Sequence, residues 1–222
     1  MGQRIFITST GTGIGKTFIT TALLHQAKAL GRSVVAYKPV MSGFDVEQRE
    51  LSDTGRILKS LGKPLDDAHI DHVSPWRFTA PLAPSMAARM ENRPIDFDAL
   101  VAHGLTAMQG PENLMLIEGV GGVMAPLGQH HTVIDWIEAL AIDTMLVVGS
   151  YLGTLSHTLT ALEVLMQRGI PVFAIAVNET ENASVGLQVT MDELANWTRL
   201  PLIGIKRHAT ENDLRELRPL IA

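Results

Sequence analysis

Apolar residues fall in short unbroken runs along this chain, and longer stretches of mixed polarity separate them. Ile5-Phe6-Ile7 is the first run, followed by 34–37, 114–117, 145–148, 172–177 and 202–205. Runs of this length without polar alternation predict strands covered on both faces. Between them the spacing predicts helices over about 16–30, 51–61, 96–109, 156–168, 185–197 and 211–220. Regular strand–helix alternation of this kind predicts an α/β fold with a mostly parallel central sheet and helices on both faces. With no internal repeat and no low-complexity linker, one domain spanning 1–222 is expected. The stretch around Pro75, Pro81 and Pro84 reads as an ordered excursion, not a boundary.

Composition narrows the partners. The formal net charge is −5, with no basic block. Phosphate backbones are held chiefly by clustered Lys and Arg, so no nucleic-acid partner is expected. The chain has no cysteine, which removes disulfides, thiolate metal sites and a thiol nucleophile. No apolar run approaches the roughly 20 residues that span a bilayer, so no membrane partner is expected. The first residues lead directly into a strand without the order of a signal peptide. A cytoplasmic protein is the expectation.

In open parallel sheets, ligands bind beyond the carboxyl ends of the strands. After the first strand comes Ser9-Thr10-Gly11-Thr12-Gly13-Ile14-Gly15-Lys16-Thr17, and then a helix. Small residues here let backbone N–H groups converge on phosphate oxygens, and the helix start adds partial positive charge. The nucleotide-binding set is therefore Gly13, Ile14, Gly15, Lys16, Thr17 and Phe18. Lys16 reaches the terminal phosphates, and the Thr17 hydroxyl joins the shell of a Mg²⁺ ion. The strict motif has glycine six residues before the lysine, where this chain has Thr10. The context, strand then glycine-rich turn then helix, is that of a P-loop NTPase-like domain.

Other strand ends carry further candidates. Glu118 closes the run 114–117 and precedes Gly119-Val120-Gly121-Gly122, which is where a second metal anchor belongs. Asp53, taken alone, reads as a helix-opening charge. Lys38 begins Lys38-Pro39-Val40-Met41-Ser42-Gly43. A lysine at that strand end can neutralise charge on a transferring phosphoryl group, or it can be a surface lysine.

The phosphate loop, the KPVMSG segment and the EGVGG segment, in that order, resemble the dethiobiotin synthetase family. That family's loop usually reads G-T-D-T-x-x-G-K-T; here Ser9 replaces the glycine and Gly11 the aspartate. The similarity runs over nearly the whole chain, through Pro81, Pro84, Asp135-Trp136 and Leu152-Gly153-Thr154-Leu155-Ser156-His157. The resemblance implies ATP as a substrate with Mg²⁺, and the substrates 7,8-diaminononanoate and CO₂. It implies a carbamate, then a carbamic–phosphoric anhydride, then closure of the ureido ring of dethiobiotin in biotin synthesis.

The resemblance also implies roles. Lys16 and Lys38 stabilise charge during phosphoryl transfer. Thr17, Asp53 and Glu118 hold Mg²⁺, and Glu118 thereby also touches the nucleotide site. Thr12 and Ser42 lie beside the diamine and its carbamate. Asn178 meets the nucleobase. Backbone N–H groups of Thr154, Leu155 and Ser156 bind the substrate carboxylate across a homodimer. Where the family has a proline beside the base, this chain has Arg207, which leaves the base preference open. Two alternatives stand beside this reading. One is a partitioning-type switch ATPase, whose loop carries a second lysine where this chain has Gly11. The other is a nucleotide-binding paralogue without ligase activity.

The eight histidines add little. His130 and His131 are adjacent in an expected loop, and His69 and His72 with nearby aspartates read as a polar loop. The charged residues from Glu211 to Arg218 read as the outer face of a final helix.

Overall fold

The computed structural model describes residues 2–181, 184–210 and 214–221. β1 (Gln3–Ser9) leads through the phosphate loop into α1 (Lys16–Ala29), and then come β2 (Val34–Tyr37), β3 (Val40–Ser42), α2 (Asp53–Leu61) and α3 (Asp67–Val73). β4 (Trp76–Phe78), α4 (Pro84–Met90) and α5 (Phe97–Met108) precede β5 (Leu114–Glu118), α6 (Val133–Leu140) and β6 (Asp143–Ser150). The chain continues with α7 (Thr154–Gln167), β7 (Val172–Glu179), α8 (Leu187–Ala195) and β8 (Leu202–Ile205).

All six expected strands form, and they make one parallel sheet in the order β2-β5-β1-β6-β7-β8. Consecutive residues of β1 serve opposite faces, as the strand period requires. Ile5 and Ile7 pack with Ile19, Leu23 and Leu24 on one side. Phe6 packs with Ile117, Leu140 and Trp136 on the other. The Phe6 and Trp136 rings meet edge to face, with centroids 4.9 Å apart. Each aromatic pair of this geometry adds about 0.5–1.5 kcal/mol beyond the area it buries. The two cores explain why the strand runs are apolar without alternation.

The order places the crossover point at β1, whose neighbours β5 and β6 follow it at opposite sides. The carboxyl ends of β1, β2, β5 and β7 therefore surround one edge of the sheet, where Ser9, Lys38, Glu118 and Asn178 stand.

Three features depart from the sequence reading. The excursion around Pro75 to Pro84 folds as a second, two-stranded parallel pair, β3 with β4, followed by α4 with Pro84 in its first turn. Residues 67–73 are helical, not a loop, because Asp66 caps the turn by accepting from the His69 N–H. Among the described residues no group of three or more His, Cys, Asp or Glu is arranged to hold a metal. The expected final helix over 211–220 is instead a short 3-10 helix at Arg215–Leu220, and 211–213 lie outside the described residues. Pro219 lies inside that segment, and Leu214, Leu217 and Ile221 turn into the core beside α1. Among the described residues, no helix is long and apolar enough to cross a membrane.

Candidate active site

The phosphate loop begins where β1 ends. Its backbone is fixed by the Thr10 N–H donating to Val147 O at 3.2 Å and the Val123 N–H donating to Ser9 O at 3.0 Å. Gly13 and Gly15 both take positive φ, at 72° and 98°. A side chain at Gly15 is also blocked: a Cβ there would lie 2.2 Å from Asn178 Nδ2. Glycine thus permits the loop to turn against the end of β7.

The expected chemistry meets in one cavity of about 710 Å³. Thr12, Gly13, Gly15, Lys16, Thr17 and Phe18 line it from the loop and the start of α1, and Lys38, Ser42, Asp53 and Glu118 line it with them. The sequence reading missed several of its walls. Met41, Arg56 and the Pro81–Pro84 segment also line it. The Pro81 segment comes back because the Gly43 N–H donates to Ala80 O at 3.1 Å, a pairing no local signal announces.

Glu118 is the centre of the arrangement and is fully buried. Its Oε1 accepts from the Thr17 hydroxyl at 2.8 Å and from Lys38 Nζ at 2.7 Å. Lys38 Nζ also donates to Gly119 O at 2.7 Å and lies 3.4 Å from Asp53 Oδ2. Burial alone would lower the Lys38 ammonium, but the Glu118 and Asp53 carboxylates outweigh it and hold the group above its ordinary value. Burial likewise pushes Asp53 up, and the Lys38 charge overrides it, so the carboxyl sits below its usual range. Asp53 does not cap α2. Ser52 does that, accepting from the Gly55 N–H at 3.0 Å, and the aspartate is left to face Lys38.

Glu118 Oε2 is buried and has no hydrogen-bond partner. An anionic oxygen left open beside a threonine hydroxyl and a second carboxylate is a donor set suited to a hard divalent cation. The residues present therefore fit Mg²⁺.

Lys16 lies across the cavity in a different setting. Its Nζ donates to Gly121 O at 2.7 Å, Ser9 Oγ at 2.9 Å and Gly11 O at 3.1 Å. Burial and the nearby Lys38 charge lower its pKa to about 7.

Asn178, Ile14 and Arg207 line an adjoining cavity of about 520 Å³, which shares Gly13, Gly15 and Phe18 with the first. Asn178 Nδ2 donates to Ile14 O at 2.6 Å, while its Oδ1 is buried and unpartnered. The Arg207 N–H donates to Glu179 Oε2 at 3.0 Å, and its guanidinium pairs with Glu181. Thr154, Leu155 and Ser156 line neither cavity. They open α7, where the Thr154 N–H already donates to Tyr151 O.

A family model described as an AAA domain matches residues 3–206. The chain is similar to the ATP-dependent dethiobiotin synthetase BioD of Caulobacter vibrioides (strain NA1000 / CB15N), 47% identical over 182 residues and 82% of each chain. It is similar to the protein of that name from Acidiphilium cryptum (strain JF-5), 43% identical over 193 residues and 86% of each chain. In fold it is similar to cobyrinic acid a,c-diamide synthase from Mycobacterium smegmatis with bound ADP and magnesium, at a TM-score of 0.55. That match covers 99% of this chain and 93% of that one at 15% identity, a likeness of fold alone. On these identities and coverages, the chain belongs to the family of ATP-dependent dethiobiotin synthetases.

Proposed function

We propose that this chain is a cyclo-ligase that joins 7,8-diaminononanoate and CO₂ at the expense of ATP to give dethiobiotin. The observation that carries the reading is the buried Thr17–Glu118–Lys38 cluster facing the phosphate loop, with Glu118 Oε2 left open. A neutral amine of the diamine attacks CO₂ and yields a carbamate. The carbamate oxygen takes the γ-phosphoryl group of ATP, and ADP departs. The second amine then displaces phosphate from the anhydride carbon and closes the five-membered ring.

The chain's own residues align and neutralise; none forms a covalent bond. Loop N–H groups from Gly13 to Phe18 and the α1 start cradle the phosphates. Lys16 and Lys38, whose head groups meet carbonyls of the Gly119–Gly121 turn, stabilise the charge of the transferring group. Thr17, Asp53 and Glu118 would hold Mg²⁺, which supplies charge neutralisation on the phosphate oxygens. Thr12 and Ser42 position the carbamate. Asn178 Oδ1 faces the base site as an acceptor, and Arg207 borders that site.

Thr154, Leu155 and Ser156 are assigned to the substrate carboxylate of a second copy. Their place at a helix start favours an anion, and because they line neither cavity of this chain, the reading places them across a homodimer.

The test is direct. Purified protein is incubated with Mg²⁺, ATP, bicarbonate and 7,8-diaminononanoate, and dethiobiotin is followed by mass beside ADP. Dethiobiotin formed in step with ADP, and no ADP without the diamine, is the expected result. ADP release that ignores the diamine would replace the ligase with an ATPase.

A further inference from the structure

An ammonium has three N–H donors, and Lys16 uses all three inside the protein. They point to Gly121 O, Ser9 Oγ and Gly11 O at 2.7, 2.9 and 3.1 Å. The lysine is 7% exposed in this pose. None of its donors is free for a phosphate oxygen, so a nucleotide must draw the head group off at least one acceptor.

Two of those acceptors are main-chain carbonyls, which any sequence would supply. The third is a side-chain choice. Ser9 is fully buried at the end of β1, and its backbone is held by the Val123 N–H. Its hydroxyl lies 2.6 Å from Gly11 O and 3.0 Å from Gly121 O, and it accepts from the Gly11 N–H at 3.3 Å. A hydroxyl has one proton, and the short contact to Gly11 O takes it. Both lone pairs are then turned to N–H donors, those of Gly11 and Lys16. Glycine, the residue usual here in the family this chain resembles, offers no such acceptor.

We propose that Ser9 is a positioning residue that holds the Lys16 head group against the loop and the Gly121 turn, in competition with the phosphates. It rests on the reading of Lys16 as a phosphate ligand. Hydrogen bonds made in the free protein and given up on binding weaken the net affinity, because the ligand must replace them. Ser9 therefore raises the ATP concentration at which the site fills and leaves the chemical step untouched. It also ties the phosphate loop to the Gly121 turn, since its hydroxyl and Lys16 both reach Gly121 O.

Calorimetric titration with Mg²⁺ and the non-hydrolysable analogue AMP-PNP tests this on wild type, Ser9→Ala and Ser9→Gly. Both variants are expected to bind roughly three- to tenfold tighter, the scale of one hydrogen bond. KM for ATP should fall in proportion, while kcat stays within about twofold. Repeating Ser9→Ala in a Lys16→Ala background should abolish the gain, because there is no longer a head group to hold. Unchanged or weaker binding in both Ser9 variants would overturn the proposal. So would a gain that persists without Lys16, which would assign the effect to the loop itself. Wild type that fails to bind AMP-PNP at all would refute the nucleotide reading first, and this proposal with it.

Discussion

Two lysines share one cavity and stand in opposite electrostatic settings. At the ends of β2 and β5, Lys38 is fully buried against Glu118 and beside Asp53, and its charge is fixed by theirs. At the start of α1, Lys16 is nearly as buried, yet only neutral oxygens from Ser9, Gly11 and Gly121 touch its head. The first is a structural cation, permanently charged and part of the sheet's rim. The second is a cation without a counterion in contact, and burial depresses it to about 7. A buried charge without a partner is costly, and a phosphate arriving beside it relieves that cost. The contrast divides the work. Lys38 is bound to the Glu118 and Asp53 carboxylates, whereas the Lys16 head group meets no carboxylate.

The contrast is broken or upheld most clearly by Lys38→Ala. Removing one partner of a buried pair strands the other, which costs about 3–5 kcal/mol. Turnover should fall at least roughly a hundredfold, the scale of one lost electrostatic stabiliser. Thermal melting and steady-state rate, measured together, should both drop. A variant that melts like wild type would show that Glu118 does not depend on Lys38.

Lys16→Ala should lose turnover on the same scale, at least roughly a hundredfold, yet without the collapse in stability. No carboxylate loses a hydrogen-bond partner, and the ammonium removed is one that burial already disfavours. The melting temperature is expected to equal or exceed that of wild type. A stability loss like that of Lys38→Ala would erase the distinction between the two lysines.

Much of this site was legible in the chain because each key residue stands at a strand end next to small residues. Lys38 and Glu118 come directly after apolar runs, Lys16 and Thr17 after the glycine-rich loop that follows one, and strand ends are where parallel sheets bind ligands. Asp53 was not legible from its own neighbourhood. A serine directly before it takes the capping role, and that frees the aspartate for Lys38. Arg56 and the Pro81–Pro84 wall were hidden for another reason. The Pro81–Pro84 wall follows the small β3–β4 pair, whose three-residue strands are too short to leave a periodic pattern, and Arg56 stands on α2, three residues after Asp53. The tail failed differently: its charges suggested a solvated helix, but the apolar residues Leu214, Leu217 and Ile221 decide its path, and Pro219 lies in its last turn.

The close approach of the phosphate loop to Asn178 offers a subtler test. Gly15 has φ 98° and leaves no room for a Cβ beside Asn178. Gly15→Ala should therefore push the phosphate loop and Asn178 apart. Left-handed strain costs about 1–3 kcal/mol, so ATP affinity should weaken about tenfold, read by titration with AMP-PNP. Wild-type affinity would mean that the loop can re-form without that close approach.

The smallest effect belongs to an ion pair outside the cavity, which shows what burial adds to Lys38 and Glu118. Asp135 accepts from the Thr132 N–H and hydroxyl at 2.7 and 2.8 Å, and from Arg168 Nη2 at 2.7 Å. Burial pushes its carboxyl up, but the Thr132 and Arg168 hydrogen bonds outweigh it and hold the group below the usual range. A carboxyl depressed by folding stabilises the fold above its unfolded pKa, near 3.9, and this contribution is lost as pH falls through the lower folded value. Asp135→Asn should therefore melt about 1–4 °C below wild type at pH 6, the scale of an exposed pair in a chain of this size. Melting curves from pH 6 down to pH 3 should bring the two proteins together. A gap that stays constant across that range would mean that the neutral amide and the carboxylate differ in packing, not in charge, and the solvent-facing pair would then be no counterpart of the buried one.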